Sequence, residues 1–124
     1  MSYEENKDTI SAPAAGDLSA DQFKFVLTDS NGQAAVNTAA GGVVTGVLQN
    51  KPAAQGRAAT VAFDGVSKVV AGAAIAAGAN VMSNASGQAI TATSGLKIVG
   101  QAQKAVGAVG EIVAVLLKTQ GDAA

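Results

Sequence analysis

The 124-residue sequence contains no cysteine, no histidine and no tryptophan. Without cysteine there is no disulfide and no thiolate-held zinc. Without histidine the commonest general base and metal ligand is missing, and so are nucleophilic triads of the Ser-His and Cys-His kinds. Aromatic residues amount to three Phe and one Tyr. With no basic cluster either, the chain lacks the stacking groups and the electrostatic footprint of a nucleic-acid binder. Long apolar runs are also missing. The longest, from Val69 to Ala79, includes Gly72 and Gly78 and is too short to span a bilayer. Met1 to Glu5 has neither the basic nor the apolar region of a signal peptide.

The charged residues that remain do not converge on a reaction. Glu4, Glu5, Asp8, Asp17 and Asp21, more than half of the carboxylates, crowd the N-terminal end. Asp64 and Glu111 read as surface partners of Lys68 or Arg57 rather than as a catalytic dyad. No glycine pattern matches a phosphate-binding loop, and no Asp-x-Asp spacing points to an oxygen-ligand metal site. Lys51 and Lys68 lie near turns, but neither follows a Met as the carrier lysine of a biotinyl domain does. The expectation is a protein that is not an enzyme and carries no cofactor and no metal.

What the chain has in abundance is small residues: 28 alanines and 15 glycines. An alanine removes far less apolar area from water than a leucine, so one thin-cored domain is expected, with extra burial from subunit or partner contacts. Charge is unevenly placed. Residues 1–21 carry five acidic side chains against Lys7, a net −4, and residues 22–124 carry seven basic against four acidic, a net +3. Residues 1–21 also hold Pro13 and Gly16 and lack a sustained period. They read as an extended N-terminal arm, with Tyr3, Ile10 and Leu18 as apolar anchors and Glu4, Glu5 and Asp8 supplying charge.

From residue 22 the pattern is β throughout. Phe23–Thr28 alternates with period two, and Asp29-Ser-Asn-Gly32 is a turn suited to positive φ. Strands follow at Gln33–Val36 and Val43–Gln49. Pro52 and Gly56 punctuate the next turn, Ala58–Phe63 alternates again, and Asp64-Gly65 is a hairpin signal. The Ala-rich Ala71–Asn80 carries glycines at 72 and 78, each costing about 1 kcal/mol inside a helix. It is read as a tight turn, with Ile75 plugging the end of a barrel. Further strands are expected at Gln88–Ala92, Leu96–Ala102 and Glu111–Lys118.

The sequence also matches itself. Sliding it along until Gly46 meets Gly100 also sets Gln49 on Gln103, Ala54 on Ala108, Gly56 on Gly110 and Val61 on Val115. Asn31-Gly32 meets Ser86-Gly87 with a slip of one. The expected architecture is therefore all-β: a small barrel or sandwich of two pseudo-repeated units, Phe23–Asp64 and Ala77–Lys118, joined by Gly65–Ala76. The last strand is apolar on both faces. Val113, Val115 and Leu117 suit the core, while Ile112, Ala114 and Leu116 need another cover. Either the arm or another subunit covers them, and a homo-oligomer using Ile112, Ala114 and Leu116 as its interface is expected.

Four segments together, Gly46–Ala54, Val69–Gly78, Ile98–Gly100 and Gly110–Leu117, resemble the small capsid decoration, or cement, proteins of tailed bacteriophages. The resemblance covers about residues 20–118, and no motif in it is catalytic. Asn80 stands where members often have an Asp one residue earlier, and Gln103-Lys104 where many carry a Glu. The resemblance implies a virion protein, made in the host bacterial cytoplasm, that binds the outer capsid surface and bridges major capsid protein subunits. It implies no nucleic-acid or membrane partner, and it favours a trimer over a dimer. A phage fibre or receptor-binding module is the alternative. It calls for exposed aromatics or a polar pocket, and the only tyrosine is Tyr3.

Overall fold

A computed structural model describes residues 8–42, 44–93 and 98–117. Among these there is no helix, and the strands are β1 (Asp8–Pro13), β2 (Phe25–Thr28), β3 (Ala34–Val36), β4 (Gly46–Leu48), β5 (Ala58–Val70), β6 (Asn80–Ser83), β7 (Ala89–Thr91), β8 (Gly100–Ala102) and β9 (Ile112–Leu117). Every strand pairing is antiparallel. The order is β3-β2-β4-β5-β9-β8-β6-β7, with β1 on the free side of β5. The all-β architecture agrees with the period-two patterning.

The long strand β5 serves two curled sheets in succession. Its first half, 58–64, lies between β1 and β4; its second half, 65–70, pairs with β9. The first curl is thus β3-β2-β4-β5-β1 and the second β7-β6-β8-β9-β5. A parallel bridge brings the ends of each curl together, Ala14 to Ala34 in the first and Ala71 to Ala89 in the second.

The two curls repeat in register as well as in order. Val47 opposite Ala62 and Leu48 opposite Val61 are matched, at the spacing that sets Gly46 on Gly100, by Gln101 opposite Leu116 and Ala102 opposite Val115. Val26–Val36 and Thr28–Ala34 are matched by Val81–Thr91 and Ser83–Ala89, at a spacing longer by one. The slip of one seen between the glycine turns is therefore a real length difference between the repeats. The turns share their chemistry. Asp29 Oδ1 accepts from the N–H of Asn31 and Gln33, both at 2.9 Å. Asn84 Oδ1 accepts from Ser86 at 2.8 Å and Gln88 at 2.9 Å. Gly32 and Gly87 both take φ of 76°, the left-handed conformation in which a glycine avoids the Cβ clash.

Two boundaries differ from the sequence reading. Asp64-Gly65 is not a hairpin. Gly65 does have positive φ, 89°, but it uses that freedom to bend one continuous strand from the first curl into the second. The segment expected to join the units therefore contains the second half of β5. Its counterpart in the first repeat is β1, which lies in the expected arm. Ile10 opposite Val61 corresponds to Ser67 opposite Val115, and Ala12 opposite Ala59 to Val69 opposite Val113. Residues 8–13 of the arm are a strand of the chain's own sheet, and 14–21 follow it through a bridge, bends and a turn.

Inside each curl, core burial follows the repeat. The first curl encloses Ala14, Leu18, Val26, Ala34, Leu48, Ala59 and Val61. The equivalent Ala71, Ile75, Val81, Ala89, Ala102, Val113 and Val115 lie in the core of the second. Leu18 and Ile75 are the plugs. Leu18 N–H donates to Pro52 O at 2.8 Å and Ile75 N–H to Val106 O at 2.9 Å. The second core also takes in Phe25, Val47 and Ala62 from the opposite face of the first sheet. Hence Phe25 and Val26, neighbours on β2, are both buried. One points into its own curl and the other into the seam between curls.

Candidate interaction surface

The seam is where backbone and side chains of the two curls interlock. Phe25 N–H donates to Gly87 O at 2.7 Å, Gly41 N–H to Ser83 O at 2.8 Å and Val70 N–H to Phe23 O at 2.9 Å. Asn37, fully buried, donates through Nδ2 to Ala39 O and Ser83 Oγ, both at 2.8 Å, and to Asn84 O at 3.2 Å. Gln49 Nε2 donates to Ser67 Oγ at 2.9 Å. A Cβ on Gly87 would stand 2.9 Å from Phe25 O and 2.8 Å from Val36 Cγ1, so the Asn84–Gln88 turn fits the first sheet only with glycine there. The Phe23 carbonyl that receives Val70 belongs to a residue with φ of 68°, the only non-glycine in that region among the described residues. Its repeat equivalent is Gly78, φ 84°. Lys68 Nζ lies 6.0 Å from the Phe23 ring, within cation–π range.

The residues expected to form a subunit interface lie on the outer side of the second curl. Ile112 is exposed, and Ala114 and Leu116 are partly buried, while Val113, Val115 and Leu117 point inward and are buried. Across β5, Val66 stands opposite Leu116, Lys68 opposite Ala114 and Val70 opposite Ile112. Gln101 flanks Leu116 on the other side. The result is a face of mixed aliphatic and polar groups.

The residues expected to anchor the arm separate. Tyr3, Glu4 and Glu5 lie outside the described residues. Asp8 opens β1. Ile10 is 42% exposed, but Leu18 is 6% exposed inside the first core. Leu18 is therefore not an anchor for a partner: its side chain fills its own curl, as Ile75 fills the other. The arm's charge is partly engaged locally. Lys24 Nζ meets Asp21 Oδ1 at 3.1 Å. Hydrogen bonds from the Ser19 hydroxyl, 2.6 Å, and the Ser19 N–H, 2.9 Å, hold the Asp17 carboxyl below its ordinary value.

Two large apolar side chains on the surface escaped the sequence reading, Phe63 at 45% exposure and Val109 at 66%. Phe63 sits where the β1–β5 register slips between Asp8 and Thr9. It lines a shallow depression at the seam with Phe25, Val44, Thr45, Gly46, Val99 and Leu117. Alternation with Ala59 and Val61, and the match to buried Leu117 in the repeat, both place Phe63 on an inward face, so nothing in the sequence marks its exposure. Among the described residues no group of three or more Asp or Glu is placed to hold a metal ion.

No protein-family model matches the sequence, and no curated protein does. Among solved structures the chain is similar to the crystal structure of the N base of head fiber gp8.5 in bacteriophage phi29. The TM-score is 0.69 at 16% identity, over 91% of this chain and 95% of that one. At that identity the likeness establishes a shared fold.

Proposed function

We propose that this chain is a structural protein of a tailed-phage virion, attached to the outer surface of the head, where it bridges and stabilises major capsid protein subunits. The observation that carries this reading is the fold shared along nearly the whole of both chains with a phage head fibre base. The sequence resemblance to decoration proteins, made on different grounds, points to the same particle. The interior of each curl is filled by aliphatic side chains, and surfaces are what the fold displays. The working unit is a symmetric homo-oligomer, with a trimer favoured over a dimer and the Ile112, Ala114 and Leu116 face at its interface. Capsid contact falls to the N-terminal residues Tyr3, Glu4, Glu5 and Asp8.

The same likeness favours a second reading, in which the domain is the base of a head fibre. The test is cryo-electron microscopy of heads from phage carrying and lacking this chain, with thermal release of DNA measured on both. Density above the shell at capsid subunit junctions, together with earlier DNA release when the chain is missing, is the expected result. A projection continuing outward from that density identifies the fibre base. Recovery of the chain only from tails, or only free of particles, would falsify both readings.

A further inference from the structure

We infer that copies of this chain associate head to tail. The Ile10–Phe63 end of the first curl in one copy seats on the Leu116 face of the second curl in the next. The inference rests on the repeat for its geometry, and on the proposed homo-oligomer only for the idea that copies meet.

Within one chain the second curl already docks on the first, and both sides of that seam are known. The second curl contributes Ser67, Leu117 and the Gly87 turn. Ser67 is 1% and Leu117 3% exposed, and Gly87 is buried as well. Their first-curl equivalents are Ile10, Phe63 and Gly32. Ile10 and Phe63 are among the most exposed large apolar residues described, Phe63 keeping that exposure although it also borders the seam depression with Val99 and Leu117. A Cβ on Gly32 would meet nothing within 4 Å. The surface that makes the seam in the second curl is thus present, open and more apolar in the first.

The opposite side behaves in the same way. The first curl receives its neighbour on Phe25, Val47 and Ala62, all fully buried. The second curl presents Asn80, Gln101 and Leu116 at those positions, exposed or partly exposed. Each chain therefore carries one unused half of the seam at each end. The polar Asn80 and Gln101 keep the receiving face compatible with water before assembly. Leu116 adds bulk where the internal seam has only Ala62. Interfaces between separately folded partners are commonly no more apolar than the rest of the surface.

One backbone bond cannot recur between copies. Val70 N–H donates to Phe23 O inside the chain, but its counterpart Pro13 has no N–H. Gln101 Nε2 instead donates to Gly78 O at 3.0 Å, satisfying the carbonyl that would otherwise wait for a partner. Side chains, rather than a continued ladder, hold the intermolecular contact. Such a contact is heterologous and generates a ring when the rotation closes.

Native mass spectrometry of the purified full chain tests this with four samples: wild type, Phe63→Lys, Asn80→Arg, and an equal mixture of the two variants. Both substitutions are on exposed side chains, and circular dichroism checks that each variant is folded. Wild type is expected as a closed oligomer and each variant alone as a monomer. The mixture is expected as a one-to-one heterodimer and nothing larger, because one intact pair of faces remains. A monomeric wild type, variants that still assemble, or a mixture that stays monomeric or regains full size each overturns the inference. Failure of the assembled wild type to bind heads would refute the capsid reading instead and leave this one standing.

Discussion

Gly46→Ala should be among the most damaging single-methyl additions this chain can suffer. Gly46 lies on β4, opposite Val26 on one side. An added Cβ there would overlap the carbonyl oxygen of Ala62 and stand 2.9 Å from Val61 Cγ1. The obstacle is the backbone of β5, which cannot rotate away as a side chain does. Relief requires β4 and β5 to part, and the Val47–Ala62 and Leu48–Val61 pairings lie immediately alongside. Overpacking a well-filled site costs about 1–3 kcal/mol, and disturbing ladder bonds beside it adds about 1 kcal/mol. A loss of roughly 3 kcal/mol corresponds to a fall in Tm of about 10 °C for a domain of this size. Gly100 repeats the position, 2.6 Å from Leu116 O and from Val115 Cγ1, so Gly100→Ala should cost a similar amount. Gly107→Ala is the control, since a Cβ there meets nothing within 4 Å and the residue has no positive φ. It should be neutral or stabilising by up to about 1 kcal/mol. Differential scanning calorimetry of the three variants decides the matter. A Gly46→Ala protein melting within about 2 °C of Gly107→Ala, less than about 1 kcal/mol on this scale, would refute the close approach of β4 to β5.

Leu18→Ala, which empties the plug of the first curl, should cost about 2–5 kcal/mol in urea unfolding; a cost below about 1 kcal/mol would mean that residues 14–18 do not close that curl. Asn37→Ala removes the amide shared by Ser83 and Asn84 across the seam. It should cost about 1–3 kcal/mol and raise hydrogen exchange at Gly41 and Phe25, whereas unchanged exchange would show that the seam does not depend on it. Asp17 is stabilised as a carboxylate by Ser19. The linked stability is therefore present above the ordinary carboxylate range and fades as pH falls through the lowered value. Ser19→Ala should move the Asp17 titration upward in carbon-detected NMR, and an unmoved titration would dismiss the hydrogen bond.

The repeat was legible from β4 onward because the β4–β5 and β8–β9 connections have the same length. One fixed shift aligns them, and Gly46 with Gly100 marks the same tight crossing twice. The turn at Asn31-Gly32 was legible from local chemistry, as was the plug at Ile75. The first strand was not. Asp8–Pro13 mixes an acid, two hydroxyls and a proline, and its partner, the first half of β5, lies far along the chain. The spacing from Leu18 to Ile75 is longer than that from Gly46 to Gly100, so the two plugs do not align on the shift that aligns the rest. Asp64-Gly65 misled because positive φ serves a bend in a strand as readily as a two-residue turn. On the candidate surface, alternation was silent on β9 because both of its faces are apolar, and the inward face was legible only from the repeat, which sets Val115 on Val61. The exposure of Phe63 was not, because it depends on which end of a repeat is left without a neighbour.

That dependence on position explains how two similar curls come to present different surfaces. Equivalent residues occupy equivalent backbone sites, so local folding physics treats them alike; burial by a neighbour is what separates them. Where the first curl is covered, the sequence has Phe25 and Val47; where the second is open, it has Asn80 and Gln101. The strained Phe23 belongs to the same contrast. A non-glycine in the left-handed region costs about 1–2 kcal/mol, yet its ring lies beside Lys68 and its carbonyl takes the Val70 N–H. At the open end Gly78 takes the same backbone conformation without that penalty, and Gln101 supplies the donor. Removing water from one end of the array and leaving it at the other has therefore shaped which residues stand on each face.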